Sequence, residues 1–299
     1  MAVRMNLRGT EGDDIFDFSG SAYENYQFRI NGGDGDDYII GNKQNDFIFG
    51  DGGNDYLDGK HGNDRLEGRE GNDELNGDNG DDLLFGGNGD DLVFGGVGKD
   101  YIEGNDGEDL LFGGAHDDVI IGGKGDDIMY GDAKVTISQA GDDYLDGAEG
   151  NDKIYGGAGK DYIEGDFGDD KLYGEAGNDT ILGGDQADII VGGRGGDQLY
   201  GDDLDASNSL YNDVFVYENK LDSLAGFDLD GAKFDTIHHF SVGSDLINLK
   251  ALGITAASLV INNAGGSLYE VRTSAVNYAD FFLQVDSSTA LTASDFVLA

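Results

Sequence analysis

A nine-residue unit repeats nineteen times in succession between Gly32 and Val216. The unit reads G-G-x-G-x-D-x-U-x, where U is a large apolar residue, and Gly32–Ile40 and Gly122–Tyr130 show it almost unchanged. A fixed period of this length predicts a stack of similar structural units, each of which contacts only its neighbours. The repeat therefore constrains the fold more strongly than any local propensity.

The eighth position of the unit predicts which side chains form the core. Successive side chains of a short strand point to opposite faces, so position eight faces inward while positions seven and nine face outward. An apolar residue stands at position eight of every copy: Ile39, Ile48, Leu57, Leu66, Leu75, Leu84, Val93, Ile102, Leu111, Ile120, Met129, Leu145, Ile154, Ile163, Leu172, Ile181, Ile190, Leu199 and Phe215.

The first six positions of the unit are rich in glycine and predict a turn between three-residue strands. Two copies then form one coil with a strand on each side, and stacked coils form two parallel sheets around a shared core. We therefore predict an all-β fold, a parallel β-roll (a two-sheet β-solenoid) with a small C-terminal β-rich cap.

The places where the period begins and stops predict three segments. Residues 1–31 form a degenerate N-terminal coil, which includes an outlying copy at Gly9–Asp17. Residues 32–216 form the roll, in which two copies carry seven extra residues each, Lys134–Ala140 and Leu204–Leu210. Residues 217–299 lack the period and are predicted to cap the open end of the roll.

The formal net charge of −43 limits what the chain can do. A chain this acidic repels itself and is expected to be compact only with bound cations. Nucleic acid is excluded as a partner, because phosphates would be repelled. The chain has no cysteine for disulfides or thiolate metal sites, no apolar run long enough for a transmembrane helix, and no apolar core typical of a cleaved leader.

The sixth position predicts the chemistry of the turns. Stacking places this aspartate one strand spacing, about 5 Å, from its counterpart two copies later, and two carboxylates so close repel unless a cation lies between them. Calcium suits such a gap, since it takes six or more oxygen ligands and glycine turns expose carbonyls, whereas magnesium prefers a smaller cage. The predicted calcium ligands are Asp37, Asp46, Asp55, Asp64, Asp73, Asp82, Asp91, Asp100, Asp109, Asp118, Asp127, Asp143, Asp152, Asp161, Asp170, Asp179, Asp188, Asp197 and Asp213.

Some copies depart from the unit and predict weaker sites. Gln44, His116 and Gln186 replace the glycine at position four, and Lys99 and Lys160 place a positive charge at position five.

The remaining motifs are weak. Phe227–Gly231 resembles part of an EF-hand loop but lacks the other ligands, so a turn is expected. His238 and His239 are adjacent and would face opposite sides of a strand. His61 is expected to be exposed in its turn. No H-E-x-x-H, G-x-S-x-G or P-loop motif is present, and the sequence predicts no enzymatic activity.

The repeat resembles that of RTX (hemolysin-type) calcium-binding proteins, and this resemblance implies a β-roll in which turn carbonyls and the position-six aspartates hold calcium between neighbouring coils. The segment from Phe234 to Leu249 is similar to the C-terminal part of serralysin-type exoproteins through Asp235, Ile237, Phe240, Gly243, Asp245, Ile247 and Leu249. That similarity implies a cap that ends in an uncleaved type I secretion signal. His239 stands where those proteins commonly have aspartate, which weakens the expectation of a calcium site there.

These observations predict a secreted, extracellular protein that folds when it binds many calcium ions and has a non-catalytic structural or interaction role. Its expected partners are calcium ions and the type I secretion machinery. The alternative is a repeat module of a carbohydrate-active exoenzyme, such as an alginate epimerase, or of another type I-secreted exoenzyme.

An outward apolar stripe is not explained by the repeat. It lies on the sheet formed by the odd-numbered copies and includes the pairs Leu92/Phe94, Leu110/Phe112, Ile128/Tyr130, Ile189/Val191 and Val214/Val216. The stripe follows either from strand propensity on a rigid surface or from coverage by another segment, a second protomer, or a protein or polysaccharide partner. Ice binding is a third interpretation, but it would require regular outward threonines, and only Thr180 is present.

Overall fold

The computed structural model describes residues 3–132, 139–202, 211–217, 235–240, 242, 245–252, 259–265, 267–273, 282–287 and 289–298. Leu204–Leu210, Phe227–Gly231, Gly243 and most of Lys134–Ala140 lie outside these ranges. The chain divides into two compact units, Met1–Gly150 and Asn151–Ala299.

The first unit consists of short strands and one 3₁₀ helix, Ser21–Tyr23. Its strands are β1 (Val3–Arg8), β2 (Ile15–Asp17), β3 (Tyr26–Asp34), β4 (Tyr38–Ile40), β5 (Phe47–Gly52), β6 (Tyr56–Asp58), β7 (Arg65–Glu70), β8 (Glu74–Asn79), β9 (Leu83–Asn88), β10 (Leu92–Val97), β11 (Tyr101–Asp106), β12 (Leu110–Ala115), β13 (Val119–Lys124), β14 (Ile128–Tyr130) and β15 (Tyr144–Glu149).

The second unit begins with strands of the same kind and adds an antiparallel meander and two 3₁₀ helices, Lys250–Leu252 and Ala293–Asp295. Its strands are β16 (Lys153–Gly159), β17 (Tyr162–Glu164), β18 (Lys171–Gly177), β19 (Thr180–Leu182), β20 (Ile189–Arg194), β21 (Gln198–Tyr200), β22 (Val214–Val216), β23 (Thr236–His238), β24 (Leu246–Asn248), β25 (Leu259–Gly265), β26 (Leu268–Thr273), β27 (Phe282–Asp286) and β28 (Phe296–Val297).

Two parallel sheets form the roll in each unit, as the repeat predicted. In the first unit, one sheet consists of the odd-numbered strands β1 to β15, and these belong to the even-numbered copies of the repeat. The other sheet consists of the even-numbered strands, which belong to the odd-numbered copies. We call them the even-copy sheet and the odd-copy sheet. In neighbouring strands of one sheet, paired residues are 18 positions apart in the sequence, which is the length of two copies. Leu92, for example, pairs with Leu110, and Leu66 pairs with Leu84.

Most strands are longer than the three residues expected. In β10, for example, the strand runs from Leu92 to Val97 and includes the first three positions of the next copy. The cause is that the backbone of the glycine pair continues to pair with the coil two copies away, as Gly96 does with Gly114. The turn is therefore confined to positions four to six.

The core is the column of position-eight side chains, which confirms the prediction for every copy. All nineteen are at most 1% exposed. At the N-terminal end, Phe18 stacks on Phe28 with ring centroids 4.1 Å apart. At the C-terminal end, β23 and β24 continue the parallel pairing with β21 and β22, while β25–β26–β27 pair antiparallel.

No α-helix occurs among the described residues, and none of their helical segments is long and apolar enough to cross a membrane.

Candidate metal centres in the turns

The position-six aspartates form a ladder along each side of the roll. Within each unit, one carboxylate oxygen, Oδ1, accepts the backbone N–H of the aspartate two copies earlier. Asp73 donates to Asp91 at 2.7 Å, and Asp91 donates to Asp109 at 2.8 Å. Each carboxylate is thereby fixed in orientation by the neighbouring coil. The structure places all nineteen predicted residues in such ladders and buries each to 3% exposure or less.

The second oxygen, Oδ2, is also buried but is used differently. In many copies it accepts no hydrogen bond from any described residue. This holds for Asp37, Asp55, Asp64, Asp73, Asp82, Asp91, Asp100, Asp109, Asp118, Asp179, Asp188 and Asp213. A buried carboxylate oxygen without a donor is unfavourable unless a positive charge compensates it. Asp46 differs, because its Oδ2 accepts the N–H of Asn42 at 3.0 Å.

The position-one glycine leaves space beside each Oδ2. A Cβ atom built on Gly86 would lie 2.3 Å from Asp91 Oδ2 and 2.9 Å from the carbonyl oxygen of Gly104, one coil away. A side chain there would fill the point on which the carboxylate and the carbonyl converge. The repeat therefore requires glycine at this position to keep two oxygen ligands exposed to one small space.

Burial raises the pKa of these carboxyls far above the ordinary value of 3.8. Desolvation is the largest cause for Asp91, whose pKa is about 8; the Asp73 N–H opposes the shift, and the charges of Asp73 and Asp109 add to it. The pKa of Asp64 rises to about 9 and that of Asp82 to about 7, again mainly through burial. The protein alone therefore does not stabilise the ionised form of these groups at neutral pH.

The donor set fits calcium. The space between coils is bounded by carboxylate and carbonyl oxygens, which hard cations prefer. Among the described residues no three Asp, Glu or His side chains surround one point. Main-chain carbonyls would therefore have to supply most of the ligands, together with the aspartates.

Three further aspartates belong to the ladder but were not predicted. Asp14 donates its N–H to Asp37 Oδ1 at 2.8 Å. Asp235 and Asp245 accept the N–H groups of Asp197 and Asp213 at 3.1 and 3.4 Å. Asp14 is position six of the outlying copy Gly9–Asp17, which was the sequence signal for it. Asp235 and Asp245 each begin a D-x-U-x fragment, the last four positions of the unit, and this shorter pattern was the signal that could have found them.

A second ladder at position five was also missed. The hydrogen bonds of this ladder run in the opposite direction. The side-chain oxygen of a position-five residue accepts the backbone N–H of the position-five residue two copies later in the sequence. Asn54 Oδ1 accepts from Asn72, Asn72 Oδ1 from Asp90, and Asp90 Oδ1 from Glu108. The enrichment of Asp and Asn at position five is the sequence signal for it. Where position five is Asp or Asn, the stacked turns are thus connected by side-chain hydrogen bonds in both directions.

The copies that depart from the unit remain part of the roll. His116 and Gln186 adopt the left-handed backbone of the glycine they replace, with φ of 79° and 87°. Gln44 is held instead by its N–H to Asn42 Oδ1 at 2.7 Å. The Lys99 ammonium pairs with the Asp117 carboxylate one coil away.

The histidines form no metal site with the described residues. His238 Nε2 lies 2.7 Å from Gln198 Oε1, and its ring stacks on Tyr200 at 4.4 Å. Burial lowers the pKa of His238 below its usual range. His61 is exposed in its turn, as predicted.

The apolar stripe lies on the odd-copy sheet as predicted. In the first unit, Phe94 and Phe112 stack with centroids 4.9 Å apart, and Phe112 and Tyr130 at 5.1 Å. In the second unit, Tyr155 and Tyr173 stack at 4.7 Å, and Lys153 Nζ lies 5.0 Å from the centre of the Tyr155 ring. The side chains therefore form aromatic columns along the roll.

Solved structures similar to the chain include two subunits of a mannuronan C5-epimerase from Azotobacter vinelandii. The AlgE6R2 subunit is 23% identical with a TM-score of 0.39, and the match covers 49% of this chain and 92% of that subunit. The AlgE6R3 subunit is 26% identical with a TM-score of 0.32, covering 53% and 78%. The extracellular lipase LipA from Serratia marcescens is 21% identical with a TM-score of 0.31, covering 73% of this chain and 40% of the lipase.

No curated protein matches the chain significantly. The family model for the RTX calcium-binding nonapeptide repeat matches residues 31–66, 58–93, 67–102, 103–133, 138–172 and 164–199, more than half of the chain. These ranges coincide with the turns and strands in which the buried aspartate ladders lie. The chain therefore belongs to the family of RTX calcium-binding nonapeptide-repeat proteins.

Proposed function

We propose that the protein is secreted, folds outside the cell when it binds many calcium ions, and has a non-catalytic structural or interaction role. The position-six aspartates are its carboxylate ligands. The observation that carries this proposal is the set of buried Oδ2 atoms that accept no hydrogen bond from described residues. All of them except those of Asp64 and Asp213 lie opposite a backbone carbonyl across the position-one glycine.

The residues of the chain prepare the sites in three ways. Backbone N–H groups hold Oδ1 and aim Oδ2 into the space between coils. The position-one glycines keep that space open, and the position-five ladder fixes the spacing of the turns. Bound calcium supplies the positive charge that makes ionised carboxylates stable in this buried setting.

Folding would then depend on where the chain is. At the low calcium of the cytosol, the carboxylates repel and the chain stays unfolded, in a form suited to type I export. Outside the cell, calcium binds the folded form alone and drives folding by mass action. The C-terminal segment is the proposed secretion signal.

Circular dichroism of the full chain during a calcium titration tests this function. A disordered spectrum in chelator and a cooperative gain of β signal with calcium are expected, with magnesium far less effective. A complete native β signal in calcium-free buffer at pH 7.5 would refute the proposal.

A repeat module of a carbohydrate-active or other type I-secreted exoenzyme is the second candidate. The Tyr155–Tyr173 stack beside Lys153 favours it, since aromatic faces next to a cation suit sugar rings and their acidic groups. A glycan array would test it with Tyr173→Ala, and Tyr38→Ala in the separate Tyr38–Tyr56 stack is the matched control. Glycan binding that is lost in Tyr173→Ala but kept in Tyr38→Ala would support the repeat-module function. If the unmodified chain binds no glycan, the result argues against that function.

A further inference from the structure

The strand β1 lies at the outer edge of the even-copy sheet. Among the described strands it pairs with β3 alone. Val3 N–H donates to Asn25 and Gly9 N–H to Asn31, both on the β3 side. Because the backbone groups of a strand alternate in direction, the N–H and C=O groups of Arg4, Asn6 and Arg8 point to the open edge. That edge can accept another strand.

The core beneath this edge is incomplete. Met5 lies on the core side opposite Phe28, yet it is 37% exposed, whereas Phe28 is 1% exposed and Ile30, on the same strand as Phe28, is not exposed at all. Val3 is 57% exposed. A strand added beside β1 would cover Met5 with its own inward side chains, as each later strand covers its neighbour.

The outward face of β1 and β3 has an unusual charge for this protein. Its six side chains are Arg4, Asn6, Arg8, Gln27, Arg29 and Asn31, which include no acid although the chain has 61 Asp and Glu residues. Arg4, Arg8 and Arg29 are exposed and make no ion pair with a described residue. Arg4 Nε donates to Gln27 Oε1 at 3.0 Å, and the Arg29 guanidinium lies 4.6 Å from the centre of the Phe49 ring. The edge therefore presents guanidinium groups without an acidic partner on the side where an added strand would place its outward residues.

The same sheet shows how such a strand would pair. On β5 and β7, Asp51 lies directly opposite Arg69, and their side chains form an ion pair. An acid opposite Arg4 or Arg8 would repeat this cross-strand arrangement, which is favourable for opposite charges and unfavourable for like charges. Two copies of β1 would place arginines against arginines, so the edge disfavours pairing with itself.

We propose that the β1 edge is a docking site for an extended acidic segment of another protein, with acids alternating with apolar residues. Backbone pairing supplies affinity, Arg4 and Arg8 select the acids on the outward face, and Met5 packs against the apolar residues on the inward face. This interaction is separate from calcium binding, which takes place in the turns.

The test uses the calcium-loaded full chain and a labelled heptapeptide of alternating Glu and Val, measured by fluorescence polarisation. Saturable binding is expected, with slower amide exchange in residues 3–9. A Lys/Val peptide should not bind, and a peptide with proline for the central valine should bind at least about tenfold more weakly, since proline removes a strand donor.

The charge-swapped double variant, Arg4→Glu with Arg8→Glu, should no longer bind the Glu/Val peptide and should instead bind the Lys/Val peptide. Arg194→Glu, at the exposed last residue of β20 in the second unit, is the matched control and should change neither. Equal binding of the proline peptide, or its displacement by a short acidic oligosaccharide, would show a general anion site and overturn the strand proposal. Absence of peptide binding, or unchanged preference in the swapped variant, would overturn it as well.

Discussion

The substitution Asp91→Asn should change the stability of the roll in opposite directions with and without calcium. Asparagine has the shape of aspartate and keeps an oxygen that can accept the Asp73 N–H, as Oδ1 does at 2.7 Å. It replaces the buried Oδ2 by a neutral amide and removes one negative charge from the space beside Gly86. The change therefore isolates the charge from the packing.

The size of the stability change in the absence of calcium follows from the pKa of Asp91. The Asp91 carboxyl has a pKa of about 8 in the roll and 3.8 in the unfolded chain. At pH 7 Asp91 is ionised in the unfolded chain but mostly protonated in the metal-free roll, so folding must take up a proton there. At about 1.4 kcal/mol per pKa unit, this uptake destabilises the metal-free roll by about 4 kcal/mol. Asp91→Asn removes this penalty, so we expect the metal-free roll to become more stable by a few kcal/mol.

With calcium bound, Asp91→Asn is expected to lower the free energy of unfolding. The variant loses a charged ligand, and one ion present at a hundred times its dissociation constant stabilises a fold by about 2.7 kcal/mol. Loss of that site should therefore lower the free energy of unfolding by about 2–3 kcal/mol.

Two measurements compare the states. Folding without calcium is driven by the osmolyte trimethylamine N-oxide, and unfolding with saturating calcium is driven by urea, both followed by circular dichroism. The control is Asp90→Asn, the same change one residue earlier at an exposed position whose oxygen accepts the Glu108 N–H. A shift of the same sign in both experiments, or an equal effect of Asp90→Asn, would refute the assignment of Asp91 as a calcium ligand.

Three further predictions concern the roll itself. Burial raises the folded-state pKa of Asp73 and Asp82 to about 7, so the metal-free roll binds more protons than the unfolded chain between about pH 4 and 7, and its stability falls as the pH rises through this window. Circular dichroism in calcium-free buffer should thus show more β signal at pH 5 than at pH 8, and an unchanged spectrum would contradict this. Leu111→Ala, in a fully buried position, should destabilise the calcium-loaded roll by about 2–5 kcal/mol in urea, whereas the outward Leu110→Ala should have a much smaller effect. Ala148 has a φ of 70°, and Ala148→Gly should raise the free energy of unfolding by about 0.5–1 kcal/mol by relieving left-handed strain; a decrease would show that this strain is absent.

The architecture could be predicted from the sequence because the period acts on every copy at once. One apolar position in nine places a buried side chain in every copy from Ile39 to Phe215, and no local preference can move one copy without breaking the pairing of its neighbours. The buried rows of aspartates were predictable for a related reason. An invariant aspartate at one position of a stacked unit implies a row of buried like charges, which is stable only with cations.

The details that were missed depend on backbone geometry that composition does not encode. The strands are longer than expected because glycine pairs such as Gly95 and Gly96 continue the ladder, and glycine in a sequence ordinarily indicates a turn. The position-five ladder required knowledge of which N–H groups the neighbouring coil leaves free, as at Glu108. Asp235 and Asp245 were hidden because only the last four positions of the unit remain around them.

The two aspartate-containing ladders explain why the protein can fold cooperatively despite its charge. The position-six ladder runs from N–H groups of earlier copies to carboxylates of later ones, and the position-five ladder runs the opposite way. A coil held by both ladders therefore loses side-chain hydrogen bonds donated in both directions when it separates from its neighbour, as well as a carboxylate that we propose as a calcium ligand. Where neighbouring coils are held in this way, partial loading gives little advantage over complete loading, and the calcium titration should be steep.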